Sequence, residues 1–277
     1  MTDKYAVVGC PIGHSKSPLI HRLFAEQTQQ DMVYEAILID PEECSFNWAM
    51  ADLKNQGYKG INITVPYKLD AFEYADTLTE RAQSAHAINT FSFNADGTVS
   101  GDNTDGIGLI NDIEINGQCS FKDKKVLILG AGGAVQGILE PLLEKLPGLV
   151  HIANRTAKRA QVLGERFETS VPISSSGWED IPAQTFDIII NGTSASLEGK
   201  LPPISNTLIG KDSLVYDMMY GAKPTVFMEW ANKAQPNCQT MDGLGMLVGQ
   251  AAEAFYIWRG VRPKTANVIK EVRETIS

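Results

Sequence analysis

Two sets of residues in this sequence are of types that could do chemistry. The first is the glycine cluster Gly130, Gly132 and Gly133 in VLILGAGGA, residues 126 to 134, set between a buried-type β run and the helical pattern VQGILEPLLEKL. Glycine suits a tight turn whose backbone must approach a pyrophosphate at a helix N-terminus, where unpaired N–H groups and the dipole favour negative charge. The strand–turn–helix context points to a dinucleotide; the plain alternative is a tight βα turn that binds nothing. At the sixth position of the fingerprint, where Gly or Ala is preferred, stands Val135, so helix and strand are expected to sit slightly further apart. The next β run, LVHIANRTAKR, ends in Asn154, Arg155 and Thr156, where NAD-binding chains place an acidic residue for the ribose 2'-hydroxyl. Arg155, with Lys158 and Arg159 close behind, suits a 2'-phosphate instead, so NADP is expected over NAD. Taken singly, each of these cations reads as a solvated helix start. FDIIINGTSAS puts Asn191, Gly192, Thr193 and Ser194 at a strand's carboxyl edge, where ligands bind in open α/β sheets. LVYDMMY puts Met219 and Tyr220 at a neighbouring edge, as walls of a nicotinamide pocket or as caps on the core.

The second set lies in the first 106 residues. In GCPIGHSKSPLIH, Pro18 suits the first position of a helix and Ser17 its N-cap, which gives Ser17 a structural role and leaves Ser15 without one. Two hydroxyls beside a helix N-terminus could also bind a carboxylate. NITVPYK ends a strand and delivers Lys68 just after Pro66, although most lysines are solvated bystanders. AINT and GDNTDG supply Asn89 and Asp105 in loop settings, where an Asp is ordinarily a turn former.

Positioning these residues requires a particular frame. Short β-branched runs, each followed by Gly, Asn or Ser, alternate with amphipathic stretches, a rhythm that predicts an α/β chain with parallel sheets covered on both faces. The segment from Lys125 to about Asp242 has the organisation of a doubly wound nucleotide-binding domain, and a boundary is expected between Asp102 and Lys122. The expected division is a substrate domain of residues 1–106, completed by 242–277, and a cofactor domain of 107–241. With 43% hydrophobic and 21% charged residues, the 277-residue chain has an ordinary globular composition, and its net charge of -9 argues against a nucleic-acid or anionic-membrane partner. The four cysteines, Cys10, Cys44, Cys119 and Cys238, lack metal-site spacing and read as free thiols. No signal-like core opens the sequence, and cytoplasm is the expected location.

The motifs PIGHSKSP, NITVPYK, INT, DNTDG, GAGGA, NRT, YDMMY and DGLGMLVGQA occur together and in order, and the chain in this respect resembles the shikimate dehydrogenases nearly end to end. The resemblance implies reversible, NADPH-dependent reduction of 3-dehydroshikimate to shikimate in aromatic amino-acid biosynthesis, by a monomer or homodimer that needs no metal. It implies Lys68 and Asp105 as the catalytic pair, and Ser15, Ser17, Thr64, Asn89, Tyr220 and Gln250 as holders of the substrate. For NADP it implies Gly130, Ala131, Gly132, Gly133, Ala134, Asn154, Arg155, Thr156, Arg159, Thr193, Met218, Met219 and Gly243. Two further departures from the pattern are His86, where a small residue such as glycine is usual, and Gly192, where Ala is usual. A quinate/shikimate dehydrogenase using NAD and a non-catalytic metabolite-binding paralogue are the alternatives. Arg155 with the paired serines counts against the first, the intact Lys68 and Asp105 against the second.

Overall fold

Strand VLIL, residues 126–129, is apolar at every position because both of its faces are covered. In the computed structural model, which describes residues 2–276, Val126 and Ile128 enter one buried cluster and Leu127 and Leu129 another. The described chain divides into two compact units, 2–108 with 248–275, and 109–247 with 276. Against the edges expected from the sequence, residues 107 and 108 fall in the first unit and 242–247 in the second. The reason for the latter is local: residues 239–242 form a strand of the second unit's sheet, and Gly243 packs directly on Met218. The expected boundary stretch is helical rather than linker-like, with a π-helical turn at Asp112–Asn116.

The first unit is built on strands β1 (Asp3–Gly9), β2 (Met32–Leu38), β3 (Tyr58–Ile63), β4 (Thr77–Leu78), β5 (Thr90–Phe93) and β6 (Val99–Asp102), in spatial order β2-β1-β3-β5-β6-β4. The expectation of a purely parallel sheet is corrected here. β1, β2 and β3 run parallel, but β5 lies antiparallel to both β3 and β6. The β5–β6 pairing follows from the short NADG connection, closed by the Asn94 N–H donating to the Thr98 carbonyl and by Gly97 at φ 88°, which leaves no length for a crossover helix. Helices α1 (Ser17–Thr28), α2 (Phe46–Asn55), α3 (Lys68–Tyr74) and α4 (Glu80–Ala85) follow the strands. Met50, Ile61, Phe91 and Ile88 lie in the core between them.

The second unit carries β7 (Lys125–Leu129), β8 (Leu149–Ala153), β9 (Ile173–Ser176), β10 (Phe186–Asn191), β11 (Ile209–Asp217) and β12 (Gln239–Asp242), all parallel, in order β12-β11-β10-β7-β8-β9. Ile138 and Leu142 of Gly133–Leu143 and Leu163 of Ala157–Gly164 pack on one face of this sheet. Phe227 and Ala231 of Val226–Ala234 pack on the other. This is the doubly wound arrangement, and its order reverses between β7 and β10, the switch point where such sheets bind ligands. No described helix is long and apolar enough to cross a membrane.

Candidate active site

In the first unit the sequence's scattered motifs converge. Thr64 follows the last residue of β3 and donates its N–H to the Val8 carbonyl at 3.0 Å, which ties NITVP to the end of β1. Four residues on, Lys68 opens α3 and its Nζ lies 2.5 Å from Asp105 Oδ2. Asp105 is the first residue of its own helix, Asp105–Asn111, and its N–H is taken by Asn103 Oδ1 at 3.1 Å. The lysine side chain keeps 29% exposure and the aspartate 13%, so the pair is shielded yet open to a small ligand. Asn89 donates through Nδ2 to Asp105 Oδ1 at 2.8 Å, and its other hydrogen is shared between Thr104 Oγ1 at 3.0 Å and Gln250 Oε1 at 3.4 Å. Lys68, Asp105, Asn89 and Gln250 thus form one hydrogen-bonded group, which can hold and exchange a proton at a substrate oxygen while amide groups read neighbouring hydroxyls.

The structural role expected of Ser17 falls to Ser15. Helix α1 begins at Ser17, preceded by Lys16 in helical conformation at φ -86° and ψ -7°; the N–H of Ser17 is accepted by Ser15 Oγ at 3.3 Å. Ser15 therefore serves the helix start, and Ser17, 7% exposed, is not the N-cap, because Lys16 has already entered the helical region. Of the histidines, His14 and His86 are exposed and His21 and His151 are buried. His86 caps α4 at φ 47°, in the left-handed region, which is why glycine would suit that position; its ring stacks on Phe72 with centroids 5.2 Å apart.

A buried polar network with no sequence signature supports the group. Arg81 on α4 grips Asp102 with Nε to Oδ1 at 2.6 Å and a terminal nitrogen to Oδ2 at 2.7 Å. The same guanidinium reaches Glu253 at 3.4 Å, which also accepts from Arg262 at 2.7 Å. Asp102 directly precedes the NTD of the motif, and Glu253 lies on the helix of Gln250, Leu244–Arg259.

In the second unit the cofactor residues gather at the carboxyl edge of the sheet. Gly130 has φ 111°, and a side chain there would come within 3.2 Å of the Gly192 backbone, so only glycine fits between β7 and β10. Gly132 precedes the helix Gly133–Leu143 with no side-chain cap, and Gly132, Gly133 and Ala134 are exposed, with Ala131 half-buried. The first N–H groups of that helix are thereby presented to solvent, as a pyrophosphate requires. Asn154 is half-buried, and Arg155, Thr156 and Arg159 are exposed at the end of β8. Thr193 donates to Asn191 Oδ1 at 2.7 Å, and Asn191 in turn donates to Asp217 at 3.1 Å. Asp217 also accepts from the Met219 N–H at 3.1 Å; burial pushes its carboxyl above the usual range, against the pull of its hydrogen bonds. Met218, 7% exposed, and Met219 lie against Gly243, whose N–H donates to the Met219 carbonyl at 3.0 Å. Tyr220 belongs to this unit, half-buried, with its phenol raised by burial. Asn191 and Asp217, both sealed from solvent, are the residues here that the motifs did not single out as a pair. The glycine turn, uncapped helix and flanking cations fit a dinucleotide phosphate.

Known proteins share this sequence pattern and this fold. Residues 7–91 match the shikimate dehydrogenase substrate binding domain, 114–198 the shikimate/quinate 5-dehydrogenase domain, and 243–273 the shikimate 5'-dehydrogenase C-terminal domain. A shikimate dehydrogenase (NADP(+)) of Hydrogenovibrio crunogenus is 74% identical over 276 residues, covering 100% of this chain and 99% of that protein. The solved structure of an Ael1 enzyme from Pseudomonas putida is similar with a TM-score of 0.92 at 45% identity, covering 97% of each chain. That of the shikimate 5-dehydrogenase of Thermus thermophilus, in complex with NADP(H) and shikimate, has a TM-score of 0.84 at 28% identity, covering 99% of this chain and 100% of the other. The chain belongs to the shikimate dehydrogenase family.

Proposed function

We propose that this chain is an NADP-dependent shikimate dehydrogenase, catalysing the reversible reduction of 3-dehydroshikimate to shikimate, with Lys68 and Asp105 as the catalytic pair. The observation that carries the reading is the 2.5 Å contact between Lys68 and Asp105, with Asn89 hydrogen-bonded to the same carboxylate. NADPH, when bound, supplies the hydride. In the reducing direction Lys68 Nζ gives a proton to the carbonyl oxygen as it becomes a hydroxyl, and in the oxidising direction takes it back. Asp105 holds the ammonium in place and accepts from the substrate hydroxyl. Ser15, Ser17, Thr64, Gln250 and Tyr220 would orient the carboxylate and remaining hydroxyls, since hydroxyl and amide groups both donate and accept. Gly130, Gly132 and Gly133 would carry the pyrophosphate and Arg155 the 2'-phosphate, with Arg159 adding charge. The enzyme would act in the cytoplasm, as a monomer or homodimer, on a small-molecule substrate and without a nucleic-acid partner.

The test is nicotinamide reduction followed by absorbance, with shikimate or quinate and with NADP or NAD. Turnover with shikimate and NADP, and little with the other three pairs, is the expected result. Equal rates with NAD would reduce Arg155 to a solvated helix start, and no turnover with any pair would leave a metabolite-binding paralogue. Lys68→Met is expected to lower kcat by about 10²–10⁴-fold, the range of general acid–base catalysis, while shifting KM for shikimate much less. Parent kcat in that variant would remove Lys68 from the chemistry.

A further inference from the structure

Beneath the proposed catalytic pair runs a chain of hydrogen bonds among buried and half-buried groups. Tyr34 Oη donates to Asn62 Oδ1 at 2.7 Å. Both hydrogens of the Asn62 amide are then spent, one on the Asn89 carbonyl at 3.1 Å and one on Thr90 Oγ1 at 3.0 Å. Having accepted from Asn62, the Thr90 hydroxyl has a single hydrogen to give. Asn89 Oδ1 lies 2.8 Å away to receive it, and the alternative partner, Thr104 Oγ1, lies at 3.5 Å. The same Oδ1 accepts the backbone N–H of Thr104 at 2.9 Å.

These constraints determine which way the Asn89 amide points. With Oδ1 facing the Thr90 hydroxyl and the Thr104 N–H, and Thr104 Oγ1 also 3.2 Å away, Nδ2 faces Asp105 Oδ1 at 2.8 Å, and the other carboxylate oxygen is left for Lys68 at 2.5 Å. A reversed amide would set its carbonyl oxygen against the carboxylate and an N–H against an N–H, both repulsive. Thr90 is 1% exposed and Asn62 5%, so Thr90 does not meet a ligand directly; its shortest link to the site is the 2.8 Å bond to Asn89.

We infer that Thr90 is a positioning residue for the reaction proposed above: its hydroxyl locks the Asn89 amide, and through it holds the Asp105 carboxylate in the orientation that receives Lys68. This rests on Lys68 and Asp105 being the catalytic pair. Removing the hydroxyl at constant volume leaves one Asn62 N–H without an acceptor and Asn89 Oδ1 with one donor fewer. The loss of one buried hydrogen bond that holds the carboxylate's partner in place corresponds to about a tenfold fall in rate.

The experiment uses the full chain with Thr90→Val, Thr90→Ser and Thr90→Cys, and reads kcat, KM for shikimate and KM for NADP, with Lys68→Met alongside. Thr90→Val is expected to lower kcat about tenfold and leave KM for NADP within about twofold, with Thr90→Ser restoring kcat to within about twofold of the parent. Thr90→Cys, which puts a weaker thiol donor in place of the hydroxyl, is expected between the two, and it carries the test if the valine variant does not fold. Parent kcat in Thr90→Val, or a serine variant as impaired as the valine one, would overturn the inference, because packing and not the hydroxyl would then be the role of this position. Parent kcat in Lys68→Met would overturn the catalytic assignment itself, which is a separate outcome.

Discussion

The two units hold their functional residues by opposite means. In the first, Lys68, Asp105, Asn89 and Gln250 are joined side chain to side chain, and the Arg81–Asp102–Glu253 network braces the loop and helix that carry two of them. In the second, the edge offers backbone at Gly132 and Gly133 and solvated charge at Arg155 and Arg159, while the buried pair Asn191 and Asp217 stays behind the turn. The difference follows from what each would read under the proposed function. Ring hydroxyls are distinguished only by donors and acceptors fixed in direction, so their binding groups must be immobilised before the ligand arrives. A phosphate is attracted from many directions, and mobile cations with free N–H groups suffice.

Two arginines put that contrast to its strongest test. Arg81→Met leaves the Asp102 carboxylate, 12% exposed in its side chain, without its bidentate partner, and the expected loss of stability is about 3 kcal/mol, as for a broken buried pair, read from urea unfolding. KM for NADP should not move. Arg155→Ala should do the reverse, raising KM for NADP about tenfold at low salt, less at high salt, with the unfolding midpoint unchanged. Arg81→Met with parent stability would mean the network is incidental, and an unaltered preference for NADP in Arg155→Ala would unseat the 2'-phosphate assignment.

The same contrast explains what the sequence disclosed. The second unit is legible because its devices are local: a strand apolar on both faces, a glycine turn and cations at its neighbour's end are consecutive residues. The first unit is legible as motifs but not as a network. Arg81 lies 21 residues from Asp102 and 172 from Glu253, and Thr90 is an ordinary β residue until Asn62 is seen beside it. Ser15 and Ser17 cannot be told apart by type, because which serves the helix start depends on the backbone at Lys16, a matter of φ and ψ. The antiparallel β5 escapes sequence reading for want of length, its NADG turn lying between strands of only four residues.

Acidity should separate the units further. His21 in α1 is fully buried and stacked on Tyr34 with centroids 4.0 Å apart. Burial pushes its pKa down to about 3 from 6.5, and the neighbouring Asn62 amide opposes this only in part. The unfolded chain therefore binds the proton that the folded one refuses, so this stability is fully present above the unfolded value and is lost as pH falls from 6.5 towards 3. The loss between pH 7 and 5 is about 2 kcal/mol by linkage. His151 in β8, also lowered by burial, acts in the same sense. Asp112 and Asp217 of the second unit, both raised by burial, act oppositely, holding protons in the folded state that the unfolded chain releases as pH rises above about 4. His21→Phe should flatten the acid limb of the stability–pH curve; a limb as steep as the parent's would place its origin elsewhere.

The smallest effect concerns two departures in the second unit, Val135 from the dinucleotide fingerprint and Gly192 from the family pattern, which turn out to be one. By the fingerprint alone, Val135 should hold its helix away from the sheet. A Cβ on Gly192 would instead overlap Val135 Cγ2 and come within 3.1 Å of Met218 Sδ. The valine thus occupies the space that an alanine at position 192 would need, and the missing methyl there makes room for the larger residue on the helix. Gly192→Ala alone should then overpack the turn and cost about 1 kcal/mol or more, and Val135→Ala alone should cost about 1 kcal/mol through the volume it vacates. Together they should cost clearly less than the sum, because each fills what the other removes, and a double-mutant cycle on unfolding free energies reads that coupling directly. Strict additivity would mean that helix and strand stand far enough apart for Val135 to coexist with alanine at position 192, as the fingerprint departure by itself suggests. Because this pair lies behind the exposed edge and not in it, KM for NADP should follow the stability changes only weakly, in contrast to the first unit, where a single buried hydroxyl governs the reacting group.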